Sequence, residues 1–277
     1  MKEAAKSILK LVGIYHPLQL FYRGIIKDIT RACYRYEYKK YKGGGYTCNY
    51  CQASYSKFAP WYPAEADKAA LEKNKVIAGY GENIVCPNCL STARERLIKA
   101  LLETRFDIGH KKILHLSPEA PVYQYIKDKA DVVAADYMPG FYKNTAKSIR
   151  FADATRLAYD NAAFDMVIAN HIMEHIPDDR SAMREIRRVL KPGGVAILQV
   201  PFSTSIASTL EDIHINNPES QSALFGQKDH VRIYQLDNYL QRLREAGFTV
   251  DYFPYESLQP FYRYAIQQGE GFIAIRS

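Results

Sequence analysis

Three groups of residues in this chain have the types and spacing to do chemistry. Cys48-Asn49-Tyr50-Cys51 and Cys86-Pro87-Asn88-Cys89 are two C-x-x-C knuckles. Each knuckle can turn two thiolates toward one point, and four thiolates meet the tetrahedral preference of zinc. Cys48, Cys51, Cys86 and Cys89 are therefore expected to hold a structural zinc ion, closed to substrate because protein fills all four positions. The long spacer between the knuckles reads as an insertion. A redox dithiol is the competing reading, but such a pair normally sits where a strand feeds a helix, and a second pair favours metal. Cys33 stands apart and is expected to be a buried small apolar residue.

The second group consists of polar residues that the local pattern places at strand ends. From Lys111 onward, short β-branched runs alternate with helical stretches, the signature of a doubly wound α/β sheet. Strands are expected at Ile113–Leu116, Asp131–Ala135, Ile149–Phe151, Phe164–Ala169, Val195–Val200, Thr249–Phe253 and Phe272–Ile275. Helices are expected from about Pro121, from Asp179 to Leu190, and from Asn238 to Ala246, with Lys191-Pro192-Gly193-Gly194 as a stop. Open α/β sheets bind ligands beyond the carboxyl ends of their strands. Those ends carry Ser117-Pro118-Glu119, Asp136-Tyr137, Asp153-Ala154 and Asn170-His171. A carboxylate placed as Asp136 is can accept hydrogen bonds from both hydroxyls of a ribose. Asp153 is placed to receive an adenine amino group, so together these residues describe a nucleoside pocket.

Two runs carry a family resemblance. One is Asn170-His171-Ile172-Met173-Glu174-His175-Ile176-Pro177-Asp178-Asp179-Arg180, continued by Met183-Arg184-Glu185-Ile186-Arg187-Arg188-Val189-Leu190-Lys191-Pro192-Gly193-Gly194. The other is Phe225-Gly226-Gln227-Lys228-Asp229-His230-Val231-Arg232-Ile233-Tyr234. From Lys111 to Ser277 the chain resembles a class I S-adenosylmethionine-dependent methyltransferase. With the cysteine pairs it is similar to bacterial members that carry a two-knuckle ribbon ahead of that domain. The resemblance implies a mostly parallel, Rossmann-like sheet of about seven strands with the last antiparallel. It also implies S-adenosylmethionine bound by Ser117, Pro118, Glu119, Asp136, Tyr137, Asp153, Ala154 and Asn170. One departure stands out. The family's first motif is a glycine-rich turn, whereas the run here is His115-Leu116-Ser117-Pro118-Glu119-Ala120-Pro121. Glycine normally permits the tight turn and close ligand approach, so this loop must take another path. Backbone donors and Ser117 can still face the methionine carboxylate, and Glu119 its ammonium.

The third group is the histidines. Methyl transfer to a hydroxyl needs a positioned acceptor and a route for its proton. His171, directly after the fourth strand, and His230 are the candidate catalytic residues. His214, Asp229 and Arg232 are candidates for substrate binding, with Arg232 able to grip a carboxylate or phosphate in bidentate fashion; an Asp229–Arg232 salt bridge is the plainer reading. For His175 a structural hydrogen bond to a nearby loop is the plainer reading, and for Trp61 and Tyr234 it is packing. His171-x-x-Glu174-His175 also matches the H-x-x-E-H pattern of zinc proteases, but that chemistry needs a helix. Pro177 and the preceding strand argue against one.

These groups sit in a chain of 277 residues, 47% hydrophobic and 24% charged, a globular composition that excludes disordered, collagen-like and coiled-coil classes. Lys and Arg number 37 against 30 Asp and Glu, and the whole excess of +7 lies in residues 1–45. A nucleic-acid reading of the entire chain therefore loses its main support. Residues 1–41 read as two helices broken at His16-Pro17. The second has Arg23, Lys27, Arg31, Arg35 and Lys39 beside a stripe of Leu18, Phe21, Tyr22, Ile25, Ile29, Cys33 and Tyr36. The stripe is expected to pack on the body; docking of residues 18–42 on an anionic membrane surface is the alternative. No apolar run reaches membrane-spanning length and no signal-peptide pattern opens the chain, so a cytoplasmic location is expected, with peripheral association on the inner membrane face as the alternative. The expected organisation is a basic helical segment (1–45), a zinc-ribbon-like module with insertion (46–95) and a methyltransferase domain (96–277). The acceptor is expected to be a hydroxyl of a saccharide, lipid-linked glycan or small metabolite. An RNA methyltransferase and a degenerate binding module are the rivals.

Overall fold

A computed structural model describes residues 15–277, with side chains from residue 19. The first of the two expected N-terminal helices lies outside the described residues. The second is α1 (Tyr15–Glu37), which begins just before Pro17. A first-turn proline is tolerated because that N–H has no intrahelical partner anyway.

The cysteine module follows. β1 (Lys42–Thr47) pairs antiparallel with β2 (Ser54–Tyr55), and β3 (Ala59–Trp61) pairs with β4 (Gly81–Val85). Between β3 and β4 the insertion carries α2 (Glu65–Lys73). α3 (Ala93–Thr104) leaves the second knuckle and runs straight through residues 95 and 96. Its start is a capping box: Thr92 Oγ1 accepts from the Glu95 amide, and Glu95 accepts from the Thr92 amide at 2.6 Å.

The α/β body then reads β5 (Lys112–Leu116), α4 (Ala120–Ile126), β6 (Asp131–Asp136), β7 (Arg150–Phe151), β8 (Phe164–Ala169), α5 (Asp179–Val189) and β9 (Leu190–Ile197). A small irregular region holds β10 (Phe202–Ser203), β11 (Leu210–Glu211), α6 (Pro218–Phe225) and β12 (Arg232–Gln235). The chain closes with α7 (Leu236–Glu245), β13 (Thr249–Phe253) and β14 (Phe272–Arg276). The main sheet has the order β13-β14-β9-β8-β5-β6-β7, parallel except for β14, which is antiparallel to both neighbours. This is the expected seven-stranded, mostly parallel architecture. Strand order turns back at β5, flanked by β6 on one side and β8 on the other, so the ligand crevice opens beyond Leu116 and Ala169.

The sheet is buried on both faces, as parallel sheets require. One face packs Ala182, Met183, Ile186 and Val189 of α5 and Leu240 and Leu243 of α7. The other packs Leu97, Ile98, Leu101 and Leu102 of α3 with Val122, Ile126 and the C-terminal Leu258 and Phe261. Each such Leu or Ile contributes about 1.5–3 kcal/mol of burial.

One expected boundary moves. α5 ends at Val189, and the strand begins at Leu190, before the Lys191–Gly194 run. That run is a bulge within β9, where pairing jumps from Phe164↔Leu190 to Met166↔Val195 and Gly193 takes a φ of 72°. The β9 ladder ends at Ile197, leaving Leu198–Val200 outside it.

α1 also departs from expectation. Phe21, Tyr22, Ile25, Ile29 and Tyr36 are exposed, and so is Cys33. The side turned to the body is instead half-buried Leu20, Gly24, Arg31 and Tyr34. Asn144 donates to the Leu20 carbonyl at 3.1 Å, Arg23 lies over the Phe141 ring, and Arg35 donates to the Asn88 carbonyl of the second knuckle at 3.2 Å. Hydrogen bonding and cation–π contact decide which face docks. Among the described residues no helix is long and apolar enough to cross a membrane.

Candidate active site and cysteine cluster

The two knuckles share one backbone plan. The Cys48 amide donates to the Ala53 carbonyl and its own carbonyl accepts from Gln52; Cys86 does the same with Ser91 and Leu90. The residue four positions on is left-handed in each, Gln52 at φ 58° and Leu90 at φ 66°. The loops face each other so that Cys48 Sγ lies 3.6 Å from Cys89 Sγ, and Cys51 Sγ 3.7 Å from Cys86 Sγ. All four sulfurs fall within 4.8 Å of one another. Zinc–sulfur bonds of about 2.3 Å in a tetrahedron put sulfurs about 3.8 Å apart. The donor set and its spacing therefore fit a tetrahedral metal ion. Ser91 Oγ sits 3.2 Å from Cys48 Sγ and 3.3 Å from Cys89 Sγ, where a hydroxyl can donate to thiolate.

Beyond β5, the glycine-free loop solves its turn with Ser117 itself, left-handed at φ 48°. Ser117 Oγ donates to Asp136 Oδ2 at 2.6 Å, and Asp136 Oδ1 accepts from the Met138 amide at 2.5 Å. Asp136 is thus fixed at the end of β6. Beside it Tyr137 and Phe151 are exposed, their rings 5.6 Å apart. Asp153 Oδ1 accepts from the amide and the hydroxyl of Thr155 at 2.8 and 2.7 Å, a turn that leaves half-buried Ala154 at the rim.

Glu119 caps α4 after the buried Pro118. Its Oε2 lies 3.2 Å from His115 Nε2 and accepts from Asn170 Nδ2 at 3.3 Å, while Arg94 Nε approaches Oε1 to 3.5 Å. Burial alone would raise this carboxyl, but the His115 hydrogen bond and the Arg94 charge hold it below the usual range. Glu119 Oε1 and Asn170 Oδ1 are buried acceptors that receive no hydrogen bond. Two such acceptors at the point where strand order turns back suit a bound ammonium group, and Asp136 at the next strand end suits ribose hydroxyls.

The neighbouring cavity lies beyond β8 and β9. Its floor is His171, Glu174, His175 and His230, its wall Arg94 and Pro201, and its roof Trp61, Leu71 and Tyr80 from the insertion between the knuckles. The roof is tied down: Ile77 and Phe202 exchange backbone hydrogen bonds, Ser203 Oγ donates to the Asn74 carbonyl at 2.6 Å, and Leu71 packs on Gly226. Gly226 caps α6 at φ 77°, and a Cβ there would meet the Leu71 side chain at 2.5 Å.

His171 follows β8 in a left-handed conformation (φ 51°), its Nδ1 3.4 Å from Glu174 Oε1. Met173–His175 is a single 3-10 turn, so the H-x-x-E-H run lies on no long helix. His230 Nε2 reaches within 4.0 Å of Glu174 Oε1, and the His175 and His230 rings meet edge to face at 4.6 Å. Burial pushes the Glu174 carboxyl up to about 7, with the nearby His175 working against it. Burial pulls His230 down to about 3, helped by His175, and holds His171 well below its usual value, helped by Arg94. Sequence reasoning missed Glu174 and Arg94; the H-x-x-E-H spacing was the available signal for the first.

Two expected substrate residues are elsewhere. Arg232 is 1% exposed and is a structural clamp, donating to the carbonyls of Met173, Ile176 and Pro177 and to Glu211 Oε2. A guanidinium consumed by four acceptors has no fork left for a ligand. His214 is exposed in the loop after β11 and is not among the residues lining the cavity. Asp229 also stands outside the lining; its carbonyl and Oδ1 lie 3.2 and 3.5 Å from His175 Nδ1, and the Asp229–Arg232 salt bridge does not form. His175 thus makes the loop hydrogen bond expected of it. Tyr234 is buried and donates to Asp179 at 2.6 Å, as packing required, whereas Trp61 is 47% exposed at the cavity roof.

Residues 119–198 match the family model described as a methyltransferase domain. The 27-O-demethylrifamycin SV methyltransferase of Amycolatopsis mediterranei (strain S699) is 35% identical over 101 residues, 35% of this chain and 34% of that protein. Uncharacterized protein YafE of Escherichia coli (strain K12) is 31% identical over 121 residues, 44% of this chain and 55% of that protein. The chain spans about a third to a half of the length of these relatives. A solved S-adenosylmethionine-dependent methyltransferase from Mesorhizobium loti aligns with 65% of this chain and 96% of its own at a TM-score of 0.48 and 12% identity. Residues 119–198, which hold Asp136, Asp153, Asn170 and the His171–His175 turn, are thus similar to a methyltransferase domain and lie within a seven-stranded, mostly parallel, Rossmann-like sheet.

Proposed function

We propose that the chain is an S-adenosylmethionine-dependent methyltransferase acting on a hydroxyl of a small metabolite, saccharide or lipid-linked glycan, with a structural zinc ion in the cysteine cluster. The observation that carries the enzymatic reading is the pair of buried acceptors that receive no hydrogen bond, Asn170 Oδ1 and Glu119 Oε1, the latter facing only the Arg94 guanidinium at 3.5 Å. In this reading Glu119 and Asn170 receive the cofactor's ammonium, Asp136 its ribose, and Asp153 with Ala154 border the adenine. When bound, the cofactor supplies an electrophilic methyl group on a sulfonium. Arg94 links the two halves, pairing with Glu119 and lining the acceptor cavity. Neutral, buried His171 at the cavity floor is suited to accept the acceptor's proton. The exposed aromatic and basic residues of α1 favour an acceptor presented at a lipid surface, where each cation contributes about 1 kcal/mol.

Calorimetry with S-adenosylmethionine and S-adenosylhomocysteine tests the reading. Saturable heat is expected, with affinity reduced at least about tenfold in Asp136→Ala, the loss of hydrogen bonds to a charged group. No heat with wild type overturns it. Methyl-labelled cofactor added to an extract, then separated into lipid, small-molecule and RNA fractions, identifies the acceptor class. Label confined to RNA would replace the hydroxyl-metabolite reading with the nucleic-acid one.

A further inference from the structure

We propose that Glu174, His175 and His230 bind a divalent transition-metal ion at the floor of the acceptor cavity, separate from the cysteine cluster. The carboxylate of Glu174 is 1% exposed and neither oxygen has a hydrogen-bond donor. A buried carboxylate in that condition is costly and calls for a partner. Its neighbours are imidazoles, and both histidines already spend one ring nitrogen on a carbonyl. His175 Nδ1 faces the Asp229 carbonyl at 3.2 Å, and the His230 ring bonds the Phe225 carbonyl. Each is left with one nitrogen whose lone pair can serve a metal, the arrangement that outer-shell carbonyls impose on ligating histidines. One ligand atom from each of Glu174, His175 and His230 lies within 4.8 Å of the others. Bonds of about 2.1 Å need donors about 3–3.5 Å apart, so closure asks for a contraction of about 1–2 Å. The floor side chains belong to a 3-10 turn and a loop.

Two nitrogens and one carboxylate suit Zn, Fe, Co or Mn, and three protein ligands leave positions open toward the cavity. The role of the ion rests on the methyltransferase reading. A hydroxyl held there would be acidified, and His171, in the same cavity lining, is placed to take its proton. The oxygen then forms its bond to the methyl carbon as the carbon–sulfur bond breaks, the electron pair leaving with sulfur. The acceptor class is thereby narrowed to hydroxyls that can ligate a metal.

The test uses the full chain with its cysteine cluster loaded with zinc. Mn2+ is the probe, because it prefers oxygen and nitrogen donors and leaves thiolates alone. Titration followed by the resonance signal of free Mn2+ is expected to show one saturable equivalent and a rise in Tm. Glu174→Gln is expected to weaken binding at least tenfold and abolish the Tm rise, while its Tm in chelator is not below that of wild type. His230→Gln, a second variant that removes a ligand without touching the carboxylate, is expected to weaken binding similarly. Cofactor affinity, measured alongside, is expected to stay within twofold of wild type in both, which separates this proposal from the cofactor reading. Absence of saturable binding of either Mn2+ or Co2+, or wild-type affinity in both variants, overturns it.

Discussion

Two charge clusters flank the Met173–Pro177 turn, and they are built on opposite plans. On one side Arg232 donates to Glu211 and to three turn carbonyls. Arg242 donates to Asp179 at 2.7 Å and to both oxygens of Glu211, and Tyr234 completes Asp179 at 2.6 Å. Every charge there has a counter-charge and every acceptor a donor. On the other side buried Glu174 receives no hydrogen bond and faces no guanidinium, only the His171 and His230 imidazoles 3.4 and 4.0 Å from its Oε1. Folding alone explains the first cluster: it pins a turn that has lost helical hydrogen bonding. It does not explain the second, because an unsatisfied carboxylate lowers stability. Local rules are broken where a site has another use.

The contrast can be pushed hardest by Arg232→Ala. Removing it leaves the buried carbonyls of Met173, Ile176 and Pro177 without that donor and Glu211 with Arg242 alone, and a loss of about 3–5 kcal/mol is expected in urea unfolding. A loss under 1 kcal/mol would dissolve the distinction between the clusters.

Glu270 sharpens it next, as a buried carboxylate acted on by Arg94 and Arg96, with Oε2 receiving no hydrogen bond. Burial raises this carboxyl to about 7, with Arg94 and Arg96 opposing. An acid whose folded pKa exceeds its unfolded value stabilises least when ionised. Relative to Glu270→Gln, wild type is therefore expected to lose stability as pH rises from about 4.5 to 7, by at most about 3 kcal/mol, and to level off above that. A flat difference across that window would show the group is solvated or paired.

The smallest effect belongs to the exposed limit. Arg31 pairs with Asp28 at 3.0 Å on the surface of α1. Arg31→Ala is expected to change the unfolding free energy by less than about 0.5 kcal/mol. A larger loss would show that α1 is held to the body by charge.

Much of this architecture was legible in the sequence because it is written locally. Short β-branched runs alternating with helical stretches placed all seven strands of the sheet, and Cys48, Cys51, Cys86 and Cys89 declared their cluster by spacing. Asp136 followed from its place at a strand end. What stayed hidden depends on distant contacts. Arg232 looked like a substrate grip because its four acceptors come from Met173, Ile176, Pro177 and Glu211, remote in sequence. The run Lys191-Pro192-Gly193-Gly194 looked like a loop, yet β8 pairs on both sides of it and turns it into a bulge. Ser117 and His171 adopt left-handed turns usually left to glycine, which no propensity rule foresees. The Cys33 stripe faces outward because Arg23, Arg35 and Asn144 secure the opposite face of α1.

Helix α3 gives the cysteine module a significance that its size does not suggest. It starts four residues after Cys89, Arg94 in its first turn reaches Glu119, and Arg96 is wholly buried, donating to the carbonyls of Ser91, Ile84, Tyr264 and Ala265. One guanidinium therefore stitches a knuckle to the last tenth of the chain. The module cannot be treated as a cassette to be trimmed or exchanged: a cut between residues 95 and 96 would break α3 just past its capping box and part Arg94 and the roof from the helix that carries them into the body. Inheritance and engineering alike must move the thiols, the roof and the main sheet as a single unit.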